Sequence, residues 1–355
     1  MEKKIISFPH LGNYYYPISF LLRKTTPHEI RPAPPITKKT IELGSKYSPD
    51  FVCVPFKYNL GNFIEALENK ANIIIQAGGG CRYGYYAEVQ EKILKDLGYD
   101  FEFLNLVSED HFTVKTLFKT FRKMNPKLSF IKFIYYALLT ILMIRYMDNI
   151  DNYIRLNIGF EEEENSFDNL LKEMLNSFTN CKGYISLTRK YFKYKKKFHK
   201  LKVNKPDNCL KVGIIGELYT SMEPFSSFFI EKELAKMNIE VKRFTNVSYL
   251  LYQKKWQKKK MLKYIPEYCT YTIGADGMDN VYRSKYLINN GYDGLIHIKP
   301  FGCTPEIGAI PIIRKVCSDY KMPIIFFSFD SATSDTGIRT RLEAFYDMLK
   351  ERKDK

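Results

Sequence analysis

The sequence predicts an α/β protein: two flavodoxin- or Rossmann-like parallel-sheet domains facing a cleft, with a helical insertion between them. Three observations lead there. The chain has 355 residues and is 45% hydrophobic, enough for a real core and long for one ordinary domain. Short apolar runs alternate with helix-length amphipathic stretches towards both ends of the chain, the grammar of parallel sheets with crossover helices. Between those regions the alternation stops and long helical patterns replace it.

Residues 1–122 make the first α/β domain. "KIISF" reads as a strand, "TKKTIELGSKY" as a helix and "DFVCVPF" as a second strand. "GNFIEALEN" is helical, "ANIIIQA" is a strand, "YYAEVQEKILKDLGYD" is an amphipathic helix and "FEFLNL" is a further strand. Residues 123–207 form the helical insertion, which carries the acidic run Glu161–Glu164, the basic run "KYFKYKKKFHKLK" and a linker at "VNKPDN". Its greasiest stretch, Phe133 to Ile144, is bounded by Lys132 and Arg145. That is about a dozen residues where a membrane span needs roughly 20, so a buried or groove-lining helix is expected. "MEKKIISFPHLGN" is no signal peptide, and a soluble cytoplasmic protein with no membrane partner is expected. Residues 208–355 resume the alternation. "CLKVGIIGELY", "IEVKRF", "GLIHIKP" and "MPIIFFSFD" are strands; "SSFFIEKELAKMN", "EIGAIPIIRKVCSDY" and "TRLEAFYDMLKERK" are helices.

The formal charge is +16, from 55 Lys+Arg against 39 Asp+Glu. Nucleic acid, an anionic membrane and phosphorylated ligands all fit such a charge. Much of the excess is Lys beside abundant Ile, Asn, Tyr and Phe, which a genome-wide compositional bias would also produce. The runs Lys193–Lys197 and Lys254–Lys260 therefore read as solvated faces. The Lys/Tyr-rich middle matches no nucleic-acid-binding fold, and no nucleic-acid partner is expected.

Seven cysteines in a long chain of this kind argue against a disulfide framework. Cys181, Cys209, Cys269 and Cys317 read as ordinary core or surface thiols. Cys53, Cys81 and Cys303 differ. Each falls at or near the carboxyl end of an expected parallel strand, the edge where open α/β sheets bind ligands, and each has Gly or Pro close by. Cys303 sits in "KPFGCTPE", a bend fenced by Pro300, Gly302 and Pro305. Three unrelated thiols would fit the spacing equally well. Without a Cys-x-x-Cys, neither a zinc ribbon nor a thioredoxin motif is supported. Three thiolates with one open position suit an iron–sulfur cluster better than a closed zinc site.

Other candidates each carry a plainer alternative. His297 tunes a cluster or moves a proton, or is a hydrogen-bonded strand residue. Glu306 is an acid at the site, or first-turn charge on a helix. Glu217 ends its strand at the ligand edge. Arg339 and Arg341 clamp a phosphate or form local ion pairs, and Asp330 of "DSATSDTG" is a phosphate-loop or turn residue. A non-redox nucleotide or acyl-CoA scaffold is the alternative function. Its cue is the glycine run after "NIIIQA", although the G-x-G-x-x-G fingerprint is not met.

Four segments in order, "CVPFK" after "PPITKKTIELG", "GEL" after "KVGII", "HIKPFGCTPE" and "DSATSDTGIRTRLEAF", resemble the 2-hydroxyacyl-CoA dehydratase superfamily. The branch is that of the proteins associated with CoA-substrate enzyme activases, related to double-cubane cluster proteins. The resemblance covers the first and third parts of the chain. It implies an iron–sulfur cluster, 4Fe-4S or double-cubane, held between two domains by cysteines. It also implies low-potential electrons from an ATP-dependent activator of the ASKHA type, a homologous second subunit or a homodimer, and a small-molecule or CoA-ester substrate. Cys53 takes the place of the family's cysteine ahead of Pro and Lys, and Cys303 that of its cysteine ahead of Pro and Glu. Cys81 stands where the family often has a further cysteine. On this resemblance Gly79, Gly80 and Gly302 offer backbone to a cofactor and Arg82 offsets its charge. His297, Glu306 and Glu217 are the catalytic candidates. The activator's ATPase domain and a Walker-type motif are missing from the sequence, so the chain is expected to accept electrons and not to hydrolyse ATP.

Overall fold

The computed structural model describes residues 3–78, 81–106 and 113–355. The chain divides into two compact units, Met1–Leu142 and Met143–Lys355. Each is built on a four-stranded sheet in which every pairing is parallel.

The first unit contains β1 (Ile5–Ser7), α1 (Tyr15–Thr25), β2 (Glu29–Ile30), α2 (Lys38–Tyr47), α3 (Val54–Glu68), β3 (Ile73–Gln76), α4 (Tyr86–Asp96), β4 (Glu102–Asn105) and α5 (Val114–Met124). The strands lie in the order β2-β1-β3-β4. β3 is buried at every position, as befits an Ile-rich strand covered on both faces. Ile73 and Ile75 pack on one side with Leu22, Phe121 and Met124. Ile74 packs on the other with Phe56, Phe63, Tyr86 and Leu94. The two-residue alternation of the strand produces this split.

α6 (Phe130–Asn157) runs through the boundary between the units. It has 28 residues and carries the greasy stretch in its first half. By length and composition it is the one helix among the described residues apolar enough to cross a membrane. The second unit continues with α7 (Ser166–Thr179) and α8 (Tyr184–Phe198), a helix pair that buries Phe167, Phe178, Leu187 and Phe198.

Then follow β5 (Lys211–Gly216), α9 (Leu218–Met222), α10 (Ile230–Lys236), β6 (Glu240–Arg243), α11 (Lys254–Tyr264), α12 (Gly274–Asn289), β7 (Gly294–Pro300), α13 (Thr304–Asp319), β8 (Ile324–Phe329) and α14 (Asp335–Asp354). Strand order is β6-β5-β7-β8. Ile296 and Ile298 of β7 pack with α10 and α14, through Ile230, Leu234, Leu342 and Phe345. Leu295 packs on the opposite face with Val281 of α12 and with Ala309 and Ile313 of α13.

Numbered within each unit, both sheets therefore run second-first-third-fourth. In such a sheet the chain leaves the first and third strands in opposite directions, and a crevice opens at their carboxyl ends. The pairs that flank it are β1/β3 and β5/β7.

Three expectations need correction. "DFVCVPF" is not a strand. Cys53 is the N-cap of α3, with Pro55 in the first turn, where its missing N–H breaks no hydrogen bond. "GNFIEALEN" is the second half of that same helix. α3 lies so close to α2 that a Cβ on Gly44 would fall 1.8 Å from the Lys57 carbonyl oxygen. The second strand of the sheet is instead the two-residue β2. The helix expected over "SSFFIEKELAKMN" begins only at Ile230, because Phe228 and Phe229 are left-handed. Between Arg243 and Gly294, where the pattern assigns no element, α11 and α12 form.

Candidate functional site

The carboxyl edge of the second sheet gathers most of the sequence-derived candidates. β5 ends at Gly216, whose φ is +142°, and a Cβ there would sit 1.9 Å from the Ile298 carbonyl oxygen. Only glycine lets the two strands stay this close as the chain turns. The Glu217 backbone N–H then donates to Ile298 O at 3.0 Å. Its carboxylate caps α9, accepting from the Tyr219 and Thr220 backbone N–H groups, both at 2.9 Å, and from the Thr220 hydroxyl at 2.8 Å. Part of the Glu217 surface is open, yet it lies among closely packed atoms. Desolvation pushes its pKa up to about 7 against the pull of those N–H groups, and the Asp276 carboxylate adds to the rise.

On the neighbouring strand His297 is fully buried, and so is Glu306 in the first turn of α13. His297 Nε2 lies 2.7 Å from Glu306 Oε2. Asn280 of α12 completes the group. Its amide nitrogen donates to both Glu306 oxygens, at 2.9 and 3.0 Å, and to Gly216 O at 3.1 Å. Its oxygen accepts from Gly216 N at 3.2 Å. One amide thus ties the end of β5 to the start of α13. Arg283, one turn further along α12, donates to the Asn280 oxygen at 3.3 Å and to the Thr245 hydroxyl at 2.7 Å, and lies over the Tyr249 ring at 4.6 Å. Beside it, Tyr249 donates to Asp279 at 2.7 Å, and Lys254 pairs with Asp276 and Asp279. Burial alone would lower the pKa of Lys254, but the two carboxylates hold its ammonium above the ordinary lysine range.

Cys303 is half-buried and is the N-cap of α13, with Pro305 in the first turn. Gly302 before it has φ +74°. Lys299 is buried in β7, and desolvation pulls its pKa below the ordinary lysine range, opposed by Cys303 and Glu306.

The first unit repeats the device. Cys53, half-buried, caps α3, and its sulfur is 2.7 Å from the Tyr86 hydroxyl. Cys81 is exposed and caps a short 3-10 turn, Arg82–Tyr85, that leads into α4. Its sulfur accepts from Tyr83 N at 3.4 Å. The Tyr83 and Tyr86 rings are 5.2 Å apart, and Tyr83 also meets the Asn59 amide. Arg82 is exposed. Gly79 and Gly80 lie outside the described residues.

Cys53 and Cys303 are therefore N-caps of α-helices, and Cys81 is the N-cap of a four-residue 3-10 turn. The other four are buried. Burial pushes the Cys317 thiol up to about 12 and raises Cys209 and Cys269 as well, which keeps them protonated and inert. Half-buried or exposed thiols at helix starts fit the soft-donor chemistry of an iron–sulfur cluster; the buried four do not. Among the described residues no group of three or more His, Cys, Asp or Glu side chains is gathered as a metal site. Arg339 pairs with Asp335 at 3.2 Å, and Arg341 donates to the Phe326 carbonyl at 2.7 Å. The Asp330 carboxylate accepts from Ala332 N at 2.9 Å, within its own turn.

Sequence reasoning missed Asn280, Arg283, Lys299 and Tyr86. A signal for two of them exists. Asp276, Asp279, Asn280 and Arg283 recur at helical spacing and are all buried. A polar stripe where a core stripe belongs marks a helix that faces a polar site.

Residues 258–349, about a quarter of the chain, match the model of the family described as 2-hydroxyglutaryl-CoA dehydratase, D-component. The stretch includes α12, β7, Cys303, α13 and β8. It carries "HIKPFGCTPE" and "TRLEAF", and the resemblance to the 2-hydroxyacyl-CoA dehydratase superfamily is borne out there. No curated protein matches the chain.

Proposed function

We propose that this dehydratase-like component is an iron–sulfur protein that accepts low-potential electrons from a separate ATP-dependent activator. It passes them to a small-molecule or acyl-CoA substrate, as a reductase or dehydratase component. The observation that carries the reading is the place of Cys303. It lies inside the family-matched stretch and caps α13 at the β5/β7 crevice. Cys53, Cys81 and Cys303 are assigned as thiolate ligands. The cytoplasm is the proposed location, with a homologous subunit or a second copy of the chain as a further partner.

When bound, the cluster would supply one-electron chemistry at low potential. The protein's own residues supply the rest. The N-termini of α3 and α13 favour anionic sulfur at Cys53 and Cys303. The His297–Glu306–Asn280 group ties the first turn of α13, which Cys303 precedes as N-cap, to β7 and α12. Glu217, titrating at about 7, holds or releases a proton at the same sheet edge near neutral pH.

Anaerobic iron and sulfide analysis of the wild type beside Cys303→Ser tests this. Brown wild-type protein containing both elements is expected, with most of each lost in the variant. A wild type that stays colourless and iron-free after anaerobic reconstitution would overturn the reading.

A further inference from the structure

On β7, Leu295 packs against α12 and α13, whereas Ile296 and Ile298 face the other side of the sheet. Strand alternation places His297 and Lys299 on the face of Leu295. Both are buried, at 0% and 6% exposure. His297 is held through Nε2 by Glu306. Lys299, about 7 Å further along the strand, is not. Its ammonium reaches only the Pro300 carbonyl, at 3.5 Å, and no carboxylate pairs with it among the described residues. A buried ammonium left this way is costly unless an anion comes to it.

The surroundings show where that anion would sit. The Pro300 carbonyl that the Lys299 ammonium reaches also accepts from the Cys303 backbone N–H, at 3.2 Å, and Cys303 is the N-cap of α13. The ammonium therefore lies beside the turn that leads into the first turn of a 16-residue helix. Backbone N–H groups at such a turn attract anions. Beside the turn, the position a Cβ would take on Gly302 has nothing within 4 Å.

We propose that Lys299, the first turn of α13 and the open space at Gly302 form a seat for a small organic carboxylate beside Cys303. The seat needs no cluster. It adds to the proposed function a place where the substrate's oxyanion is held.

The test uses the metal-free full chain and two alkylating reagents of similar size, iodoacetate and iodoacetamide. Either forms an S–C bond at a thiolate and releases iodide. Mass spectrometry reads each cysteine separately. At Cys303 the rate ratio of the anionic to the neutral reagent should exceed that at Cys53 and Cys81 by about tenfold, the order expected of one nearby ammonium. Sodium lactate should protect Cys303, and Lys299→Met should erase the preference while Lys299→Arg keeps part of it. As a second readout, lactate should raise the melting temperature above that in equal sodium chloride, and Lys299→Met should lose the rise. An equal ratio at all three cysteines, a preference that survives Lys299→Met, or no lactate-specific rise in melting temperature would overturn the seat. Iron content, measured separately, decides the cluster reading on its own.

Discussion

Replacing Asn280 with leucine should destabilise the second unit by about 3–5 kcal/mol. The side chains share a branched shape; leucine is the bulkier, and overpacking at this buried site would add to that loss. The loss itself comes from hydrogen bonds. The Asn280 amide donates to both oxygens of Glu306 and to Gly216 O, and accepts from Gly216 N. Without it, Glu306, which is fully buried, keeps only His297 as a side-chain partner among the described residues. An unsatisfied buried neutral group costs about 1–3 kcal/mol and a charged one more. Two backbone groups on Gly216 and both carboxylate oxygens lose a partner at once, with His297 left on Oε2 alone, which sets the range. Urea unfolding of the full chain by far-UV circular dichroism measures the loss. A loss below about 1 kcal/mol would refute the claim that this amide joins β5 to α13. Asn280→Asp sharpens the test. It sets a second carboxylate about 3 Å from Glu306, so its defect should be greater at pH 8 than at pH 5, where a proton shared between the pair restores a hydrogen bond. A defect independent of pH would argue against that contact.

Glu217 has a folded pKa near 7 against an ordinary 4.5, so the native state binds the extra proton. Wild-type stability should therefore fall as pH rises from about 4.5 to 7, by on the order of 3 kcal/mol at most, and Glu217→Gln should lack that slope; parallel profiles would contradict the shift. Gly216→Ala drives a Cβ to within 1.9 Å of Ile298 O and should cost at least about 3 kcal/mol, since β5 and β7 must part. An unchanged melting temperature would show that the strands are not so close. Tyr86→Phe removes the hydroxyl 2.7 Å from the Cys53 sulfur and should raise the alkylation rate of Cys53 a few-fold in the metal-free chain. A rate unchanged from wild type would mean that the hydroxyl does not shield the thiol.

Local chemistry made most of the sheets readable. The isoleucines of "ANIIIQA" and "GLIHIKP" carry the strand preference, and the burial of β3 on both faces follows from its continuous hydrophobicity. The segment around Cys53 misled for an equally local reason. A short apolar run with a proline suits either a strand end or a helix start, and only the packing of α3 on α2 decides for the helix. β2 has two residues and too little side-chain pattern to announce itself.

The turn at Pro300–Pro305 and its cysteine could be recognised from residue types alone, because proline and glycine restrict the backbone wherever they occur. What surrounds that cysteine could not. Glu306 looks like first-turn charge on a helix; it is instead buried beneath the turn, held by a histidine nine residues earlier and an asparagine twenty-six earlier. Chain order says which residues exist and which local shapes they prefer. Hydrogen bonds between side chains on different elements form only after crossovers bring strand ends and helix starts to one edge, so the polar group under α13 and the buried ammonium of Lys299 belong to the tertiary structure.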